Sequence, residues 1–271
     1  MSFALIRSMI APMMQQASAE AENADESLCG NLVEVLEQSG EWYRIRTHYQ
    51  YEGWVREKDL CLDENLVQLW NAAPKQVVLQ AHADILTMPK VQGRFVAELT
   101  RGALVSPTGE TENGWQKVRL CDGREGWTWG AFLGEYLVGW QKSDEEKLRS
   151  AIAETALSYL GTQYRWGGKS PLGIDCSGLC SMAYLLNGVI ICRDAHIQDD
   201  FCMHKIDFQS IKKGDLMFFP GHVAMYLGDS RYVHSTAGNN CHGVVINSLD
   251  PAAEDYRADL PQKLLYVGSI F

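Results

Sequence analysis

The chain has 271 residues, of which 46% are hydrophobic and 21% charged. That is room for two or three modest domains with buried cores, and an ordinary soluble composition. The formal net charge of −10 argues against nucleic acid or an anionic membrane as the main partner. No stretch reaches the about 20 apolar residues of a membrane-spanning helix.

Residues Met1 to Ala19 imitate a secretory signal, with Arg7, a short apolar patch and Ala17-Ser18-Ala19 as a cleavage-like site. Arg7 lies inside the patch, however, and Ile10-Ala11-Pro12-Met13-Met14 interrupts any helical core, so a retained N-terminus is expected. Export, with Met1 to Ala19 as its signal, is the alternative. Eight cysteines (Cys29, Cys61, Cys121, Cys176, Cys180, Cys192, Cys202 and Cys241) are spread without tight pairing motifs. Reduced thiols in a cytoplasmic protein fit that pattern better than a disulfide framework.

The first half of the chain repeats itself. Trp42-Tyr43-Arg44-Ile45-Arg46, followed by Glu52-Gly53-Trp54, recurs 73 residues on as Trp115-Gln116-Lys117-Val118-Arg119 followed by Glu125-Gly126-Trp127. Gly30-Asn31-Leu32-Val33 and Gly102-Ala103-Leu104-Val105 match with a one-residue slip. Short alternating runs between polar turn clusters predict small strands, hence two small all-β barrels, over 1–70 and 76–138. Leu62 to Gln76 reads as the joint between them. The pattern resembles bacterial SH3-like (SH3b) domains.

A third domain is expected over 143–271. Ser143, with Glu146 three residues later, reads as a helix cap, and Leu148, Ile152, Ala156 and Leu160 recur at helical spacing. A second helix is predicted over Cys176–Leu186, then strands over Asp215–Phe219, Val223–Leu227, Arg231–Ser235 and Gly243–Leu249. Helices followed by an antiparallel meander indicate an α+β domain.

The chemistry gathers at Cys176. It opens the predicted helix after a loop rich in glycine (Gly167, Gly168, Gly173), where the positive end of the helix dipole and unpaired amides favour a thiolate. The same amides suit an oxyanion. His222 and His234 fall on adjacent strands of a hairpin turning at Asp229-Ser230. That hairpin sets His222 near residue 237 and makes His234 about its diagonal neighbour, so a base and its orienter can share one face. A thiol, a base and a group to orient the base make a nucleophilic site. Zinc ligation by His196, Cys202, His204, Cys241 and His242 is set aside because the spacings fit no common zinc knuckle, so neither metal nor cofactor is expected.

Gly161-Thr162-Gln163-Tyr164-Arg165-Trp166-Gly167-Gly168, Gly173-Ile174-Asp175-Cys176-Ser177-Gly178, Lys213-Gly214-Asp215-Leu216 and the two histidine strands resemble the NlpC/P60 family of papain-like cysteine peptidases, over 144–271. The resemblance implies Cys176 as nucleophile, His222 as general base and acid, His234 as its orienting partner and Tyr164 near the oxyanion. It implies hydrolysis of cell-wall peptides, commonly between γ-D-glutamate and a diamino acid. With two SH3-like barrels ahead, the chain resembles γ-D-glutamyl-L-diamino acid endopeptidases that recycle free murein peptides. Those enzymes prefer an unblocked N-terminal L-alanine, as in L-Ala-γ-D-Glu-diamino acid. By the same resemblance Asp194 faces that ammonium, Asp175 or Ser177 assists, and Tyr51 is the first barrel's contribution, where the second has Arg124. Cys192 stands where the family pattern has proline, which implies a less rigid loop before Asp194. A monomer is expected. A secreted hydrolase of intact wall and a non-catalytic wall-binding protein are the alternatives; the second predicts degenerate positions where Cys176, His222 and His234 stand intact.

Overall fold

In the computed structural model, residues 2–141 and 144–271 are described. The chain divides into two compact units, one ending at Tyr136 and one starting at Leu137.

The first unit holds two copies of one sheet. In the first copy β1 (Ser2–Ile6), β2 (Ile10–Met14), β3 (Asn23–Leu28), β4 (Leu32–Ser39), β5 (Trp42–Arg46), β6 (Glu52–Arg56) and β7 (Leu60–Cys61) lie in the order β3-β2-β6-β5-β4-β1-β7. Alternation puts Ala4, Ile6, Met13, Val33, Ile45 and Val55 on a single buried core, so the sheet curls round on itself. The signal-like N-terminal segment is therefore working sheet: Ala4, Leu5, Ile6, Ala11 and Met13 are fully buried. Helix α1 (Glu64–Ala72) follows, in the stretch expected to be only a joint. Asp63 caps it by accepting the Asn65 and Leu66 amides, and Trp70 anchors it through a 2.8 Å bond from its indole N–H to the Gly30 carbonyl.

The second copy comprises β8 (Gln76–Val78), β9 (His82–Leu86), β10 (Phe95–Thr100), β11 (Leu104–Glu112), β12 (Trp115–Arg119), β13 (Glu125–Trp129) and β14 (Leu133–Glu135). Its order, β10-β9-β13-β12-β11-β8-β14, is the first copy's with every strand moved on by seven. Gly30 shows why the repeated glycine matters. Its φ is +85°, and a β-carbon there would stand 2.6 Å from the Leu104 carbonyl oxygen, where the two sheets meet.

The second unit is α+β. Helices α2 (Glu145–Leu157) and α3 (Cys176–Leu185) accompany the short ribbon β15 (Lys169–Ser170) and β16 (Gly173–Ile174). Strands β17 (His204–Ile206), β18 (Leu216–Phe219), β19 (His222–Gly228), β20 (Arg231–Thr236), β21 (Gly243–Ser248) and β22 (Tyr266–Ser269) form a sheet in the order β17-β22-β18-β19-β20-β21. Ser143, read as a helix cap, lies outside the described residues. Strands β17 and β22 escaped the sequence reading because neither is long enough to show a period. Arg149 on α2 is buried and donates to Asp215 at 2.8 Å, which ties the helix to the Gly214-Asp215 turn before β18.

Candidate active site

Local sequence places Cys176 first in α3. Asp175, just before it, is extended and accepts the Gly178 amide at 2.6 Å, capping the helix. Gly178 is required here: a β-carbon would sit 2.2 Å from the Gly168 carbonyl oxygen, so the glycine-rich loop is pressed onto the first turn of α3. The parallel bridge between Tyr164 and Ile174 holds that loop two residues before the nucleophile.

The packing of α3 on the sheet carries Cys176 to the start of β19, where the backbone N–H of Val223 bonds its sulfur. Val223 is the residue after His222. The Val223 and Ser177 amides and Arg193 favour a thiolate, but burial and the Asp175 charge outweigh them and push the thiol up to about 11. This corrects the expectation of a thiolate stabilised at the helix end. Burial pushes His222 the other way, down to about 3, helped by His234. The resting pair is therefore a neutral thiol and a neutral imidazole.

The hairpin places the histidines together for a reason the sequence did not disclose. Gly228 pairs with Arg231 around the Asp229-Ser230 turn, but Tyr226 pairs with Tyr232 and Met225 with Val233, a one-residue bulge. Without it, residue 237 would oppose His222 and His234 would lie on the opposite face, since neighbouring residues alternate. The bulge moves Thr236 opposite His222 and turns His234 onto its face. His222 Nε2 and His234 Nδ1 are 2.8 Å apart.

The sequence reading missed Asn247 on β21. Its amide nitrogen donates to the Asp255 carbonyl at 2.7 Å, so its oxygen faces His234 Nε2, at 2.9 Å. An amide oxygen only accepts; His234 therefore carries its proton on Nε2 and offers a lone pair at Nδ1. His222 then donates from Nε2, and its Nδ1 is left to take a proton. Burial, the largest influence, holds His234 down to about 4 although the Asn247 bond opposes it, which keeps the relay neutral. The signal for Asn247 was faint: a polar residue after an apolar run, two beyond the partner of His234.

The other candidates separate. Tyr164 is half-buried, and its hydroxyl is raised by burial and then by the nearby Cys176 and Asp175 charges. Asp194 is exposed and lines a small pocket with Ser177, Cys192, His196, Phe218 and Val223. Asp175 is committed to the scaffold rather than open to an ammonium. Beyond the helix cap it accepts the Gly167 amide at 2.9 Å and, on opposite oxygens, the two Arg193 nitrogens at 3.1 and 3.0 Å. Ser177 is similarly engaged, its oxygen 2.8 Å from Arg193. Arg193, 2% exposed, thus fixes the segment that carries Asp194 to the nucleophile's helix. Cys192, in place of the proline, is buried with its sulfur 4.0 Å from His196 Nε2. Tyr51 belongs to the first unit, in the β5–β6 connection, where its ring packs on the first sheet's core.

Known proteins resemble this chain in sequence and fold. The NlpC/P60 family profile matches residues 161–257, and that of the bacterial SH3 domain matches residues 15–60. The chain is 41% identical to dipeptidyl-peptidase 6 of Lysinibacillus sphaericus across 99% of both chains. It is 29% identical to a γ-D-glutamyl-L-lysine dipeptidyl-peptidase of Bacillus cereus, over 85% of this chain and 72% of that one. A crystal structure of an NlpC/P60 family protein from Bacillus cereus has the same fold, with a TM-score of 0.80 over 98% of each chain at 20% identity. On the strength of a full-length match and of a buried thiol beside a histidine hairpin, the chain belongs to the NlpC/P60 family of cysteine peptidases, with SH3-like β domains ahead of its catalytic domain.

Proposed function

We propose that this peptidase hydrolyses the bond between γ-D-glutamate and an L-diamino acid in free cell-wall peptides whose N-terminal L-alanine is unblocked. The observation that carries the chemistry is the His222–His234–Asn247 chain of hydrogen bonds on the strands that begin beside Cys176, next to the Val223 amide. The relatives named for γ-D-glutamyl-L-lysine dipeptidyl-peptidase activity support the bond. A dipeptidyl-peptidase counts from a free amino end, and the exposed Asp194 carboxylate supports recognition of that ammonium by a charge-assisted hydrogen bond.

His222 Nδ1 takes the Cys176 proton as the sulfur attacks the γ-carbonyl carbon of D-glutamate. The oxyanion develops beside the first amides of α3 and Tyr164. Collapse breaks the C–N bond, and the imidazolium passes its proton to the departing diamino-acid amine. Water, activated by the same histidine, then cleaves the thioester and releases the N-terminal dipeptide. We place this reaction in the cytoplasm, in murein peptide recycling, by a monomer. In support of a retained N-terminus, residues 2–14 supply two strands of the first sheet.

The test is mass spectrometry of products from L-Ala-γ-D-Glu-L-Lys and its N-acetylated form. The free peptide should give L-Ala-D-Glu and lysine, and Cys176→Ala should give neither. Acetylation removes one charge-assisted contact and should lower kcat/KM about 10- to 100-fold. Full activity of Cys176→Ala would remove the mechanism, and indifference to acetylation would remove the free-peptide reading.

A further inference from the structure

The second sheet carries an open groove of about 580 Å³, lined by His82, Asp84, Leu86, Val91, Trp115, Trp129 and Phe132. Trp115 pairs with Trp129 across β12 and β13, and their rings meet edge-to-face with centroids 5.9 Å apart. Trp129 is 39% exposed and Val91 77%, a large apolar surface left open to solvent.

The first sheet shows what such a tryptophan holds. There Trp42 pairs with Arg56, and the guanidinium carbon lies 5.1 Å from the ring centroid. That sheet fills its tryptophan face with its own cation. The second copy has lost the cation, because Trp129 stands at the position of Arg56. Glycine at 114, where the first copy has Glu41, makes room for the new ring: a β-carbon there would stand 2.6 Å from it. A carboxylate has been added as well. Asp84 stands opposite Glu98, where the first copy sets Pro12 opposite Glu26. Like charges directly across a strand pair destabilise a sheet. Glu98 is met by His82 at 3.0 Å, whereas Asp84 pairs with no cation among the described residues.

An exposed indole ring and a carboxylate lining one groove form a cation site by elementary electrostatics, and a planar guanidinium uses both parts by stacking and by a charge-assisted hydrogen bond. We propose that this groove binds an arginine side chain presented by an extended peptide. The bound guanidinium lies in the groove against the exposed ring of Trp129, which itself occupies the place of Arg56, and relieves the Asp84–Glu98 repulsion. The site lies wholly within the second sheet and stands or falls independently of the peptidase reading.

The experiment titrates the full-length protein with the blocked peptide Ac-Ala-Ala-Arg-Ala-Ala-NH2, following tryptophan emission and heat. The citrulline peptide, identical in shape but uncharged, and the lysine peptide are the comparisons. Saturable binding of the arginine peptide is expected. Citrulline and the variant Asp84→Asn should each weaken it about tenfold, the scale of one cation–π or charge-assisted contact. Trp129→Arg, which restores the first sheet's arrangement, should abolish it; circular dichroism confirms folding, and Asp84→Asn keeps the test decisive if that variant misfolds. Lysine should bind more weakly. No saturation, equal affinity for citrulline or lysine, or binding unchanged in Asp84→Asn would overturn the assignment. So would binding of an N-acetylglucosamine oligomer in place of the peptide, which would make the rings a sugar platform.

Discussion

Asn247→Asp tests the histidine relay most severely. The substitution keeps an acceptor 2.9 Å from His234 Nε2 but puts a negative charge there. An opposite charge at that distance raises a histidine by about 1–3 pKa units, which takes His234 from about 4 into the range of about 5–7. Once doubly protonated, His234 presents an N–H to His222 Nε2. His222 must then carry its own proton on Nδ1, the nitrogen that should receive the thiol's. The variant should therefore match the natural protein above pH 8 and lose about tenfold in kcat/KM for each pH unit below the new pKa. The natural protein, with His222 near 3 and His234 near 4, should show no such limb above pH 5. The assay is lysine release from L-Ala-γ-D-Glu-L-Lys across pH 4.5 to 9, with circular dichroism at each pH. Asn247→Ala leaves both tautomers accessible and should lose activity about tenfold at every pH, the worth of one buried hydrogen bond. Coincident pH profiles for Asn247→Asp and the natural protein, or full kcat in Asn247→Ala, would refute the relay.

Because the resting thiol is neutral, alkylation of Cys176 by iodoacetamide should still accelerate above pH 9; a plateau near pH 6 would reveal a preformed thiolate–imidazolium pair. Folding lowers His234 from 6.5 to about 4, so the unfolded chain binds more protons in between. Stability from this group is complete above pH 6.5 and falls by roughly 3 kcal/mol as pH drops to 4, measurable by urea unfolding; a flat response would contradict its neutral burial. Gly178→Ala drives a methyl into the Gly168 carbonyl oxygen and should cost about 1–3 kcal/mol with loss of activity; an unaltered urea midpoint would show that the loop yields. Arg193→Ala leaves the buried Asp175 carboxylate without its partner, at about 3–5 kcal/mol, and stability within 1 kcal/mol of the natural protein would disprove that pairing.

Much of the architecture was legible because it is local. Alternating runs around Trp42 and Trp115 announced a duplicated β unit, and the seven-strand order repeats in full. The helix at Cys176 was equally plain, since a capping Asp175 and a glycine-rich approach are neighbours in sequence. Helix α1 was passed over although Asp63 caps it, because its short turn pattern was masked by its place between two sheets.

The chain by itself determined the inventory: a thiol at a helix start, two histidines on a hairpin, and a β unit written twice. Those are properties of residues a few positions apart, and periodicity and capping report them. Tertiary structure alone decided how the inventory is used. A one-residue bulge chose the face on which His234 meets His222. Asn247, from a strand on the far side of His234, set both imidazole tautomers. Arg193 spent the Asp175 carboxylate on the scaffold and left Asp194 at the pocket. Burial, which no sequence spacing records, outweighed the helix amides and kept the thiol protonated. Charge state and hydrogen-bond direction depend on every atom within a few ångströms, and most of those atoms come from distant parts of the chain.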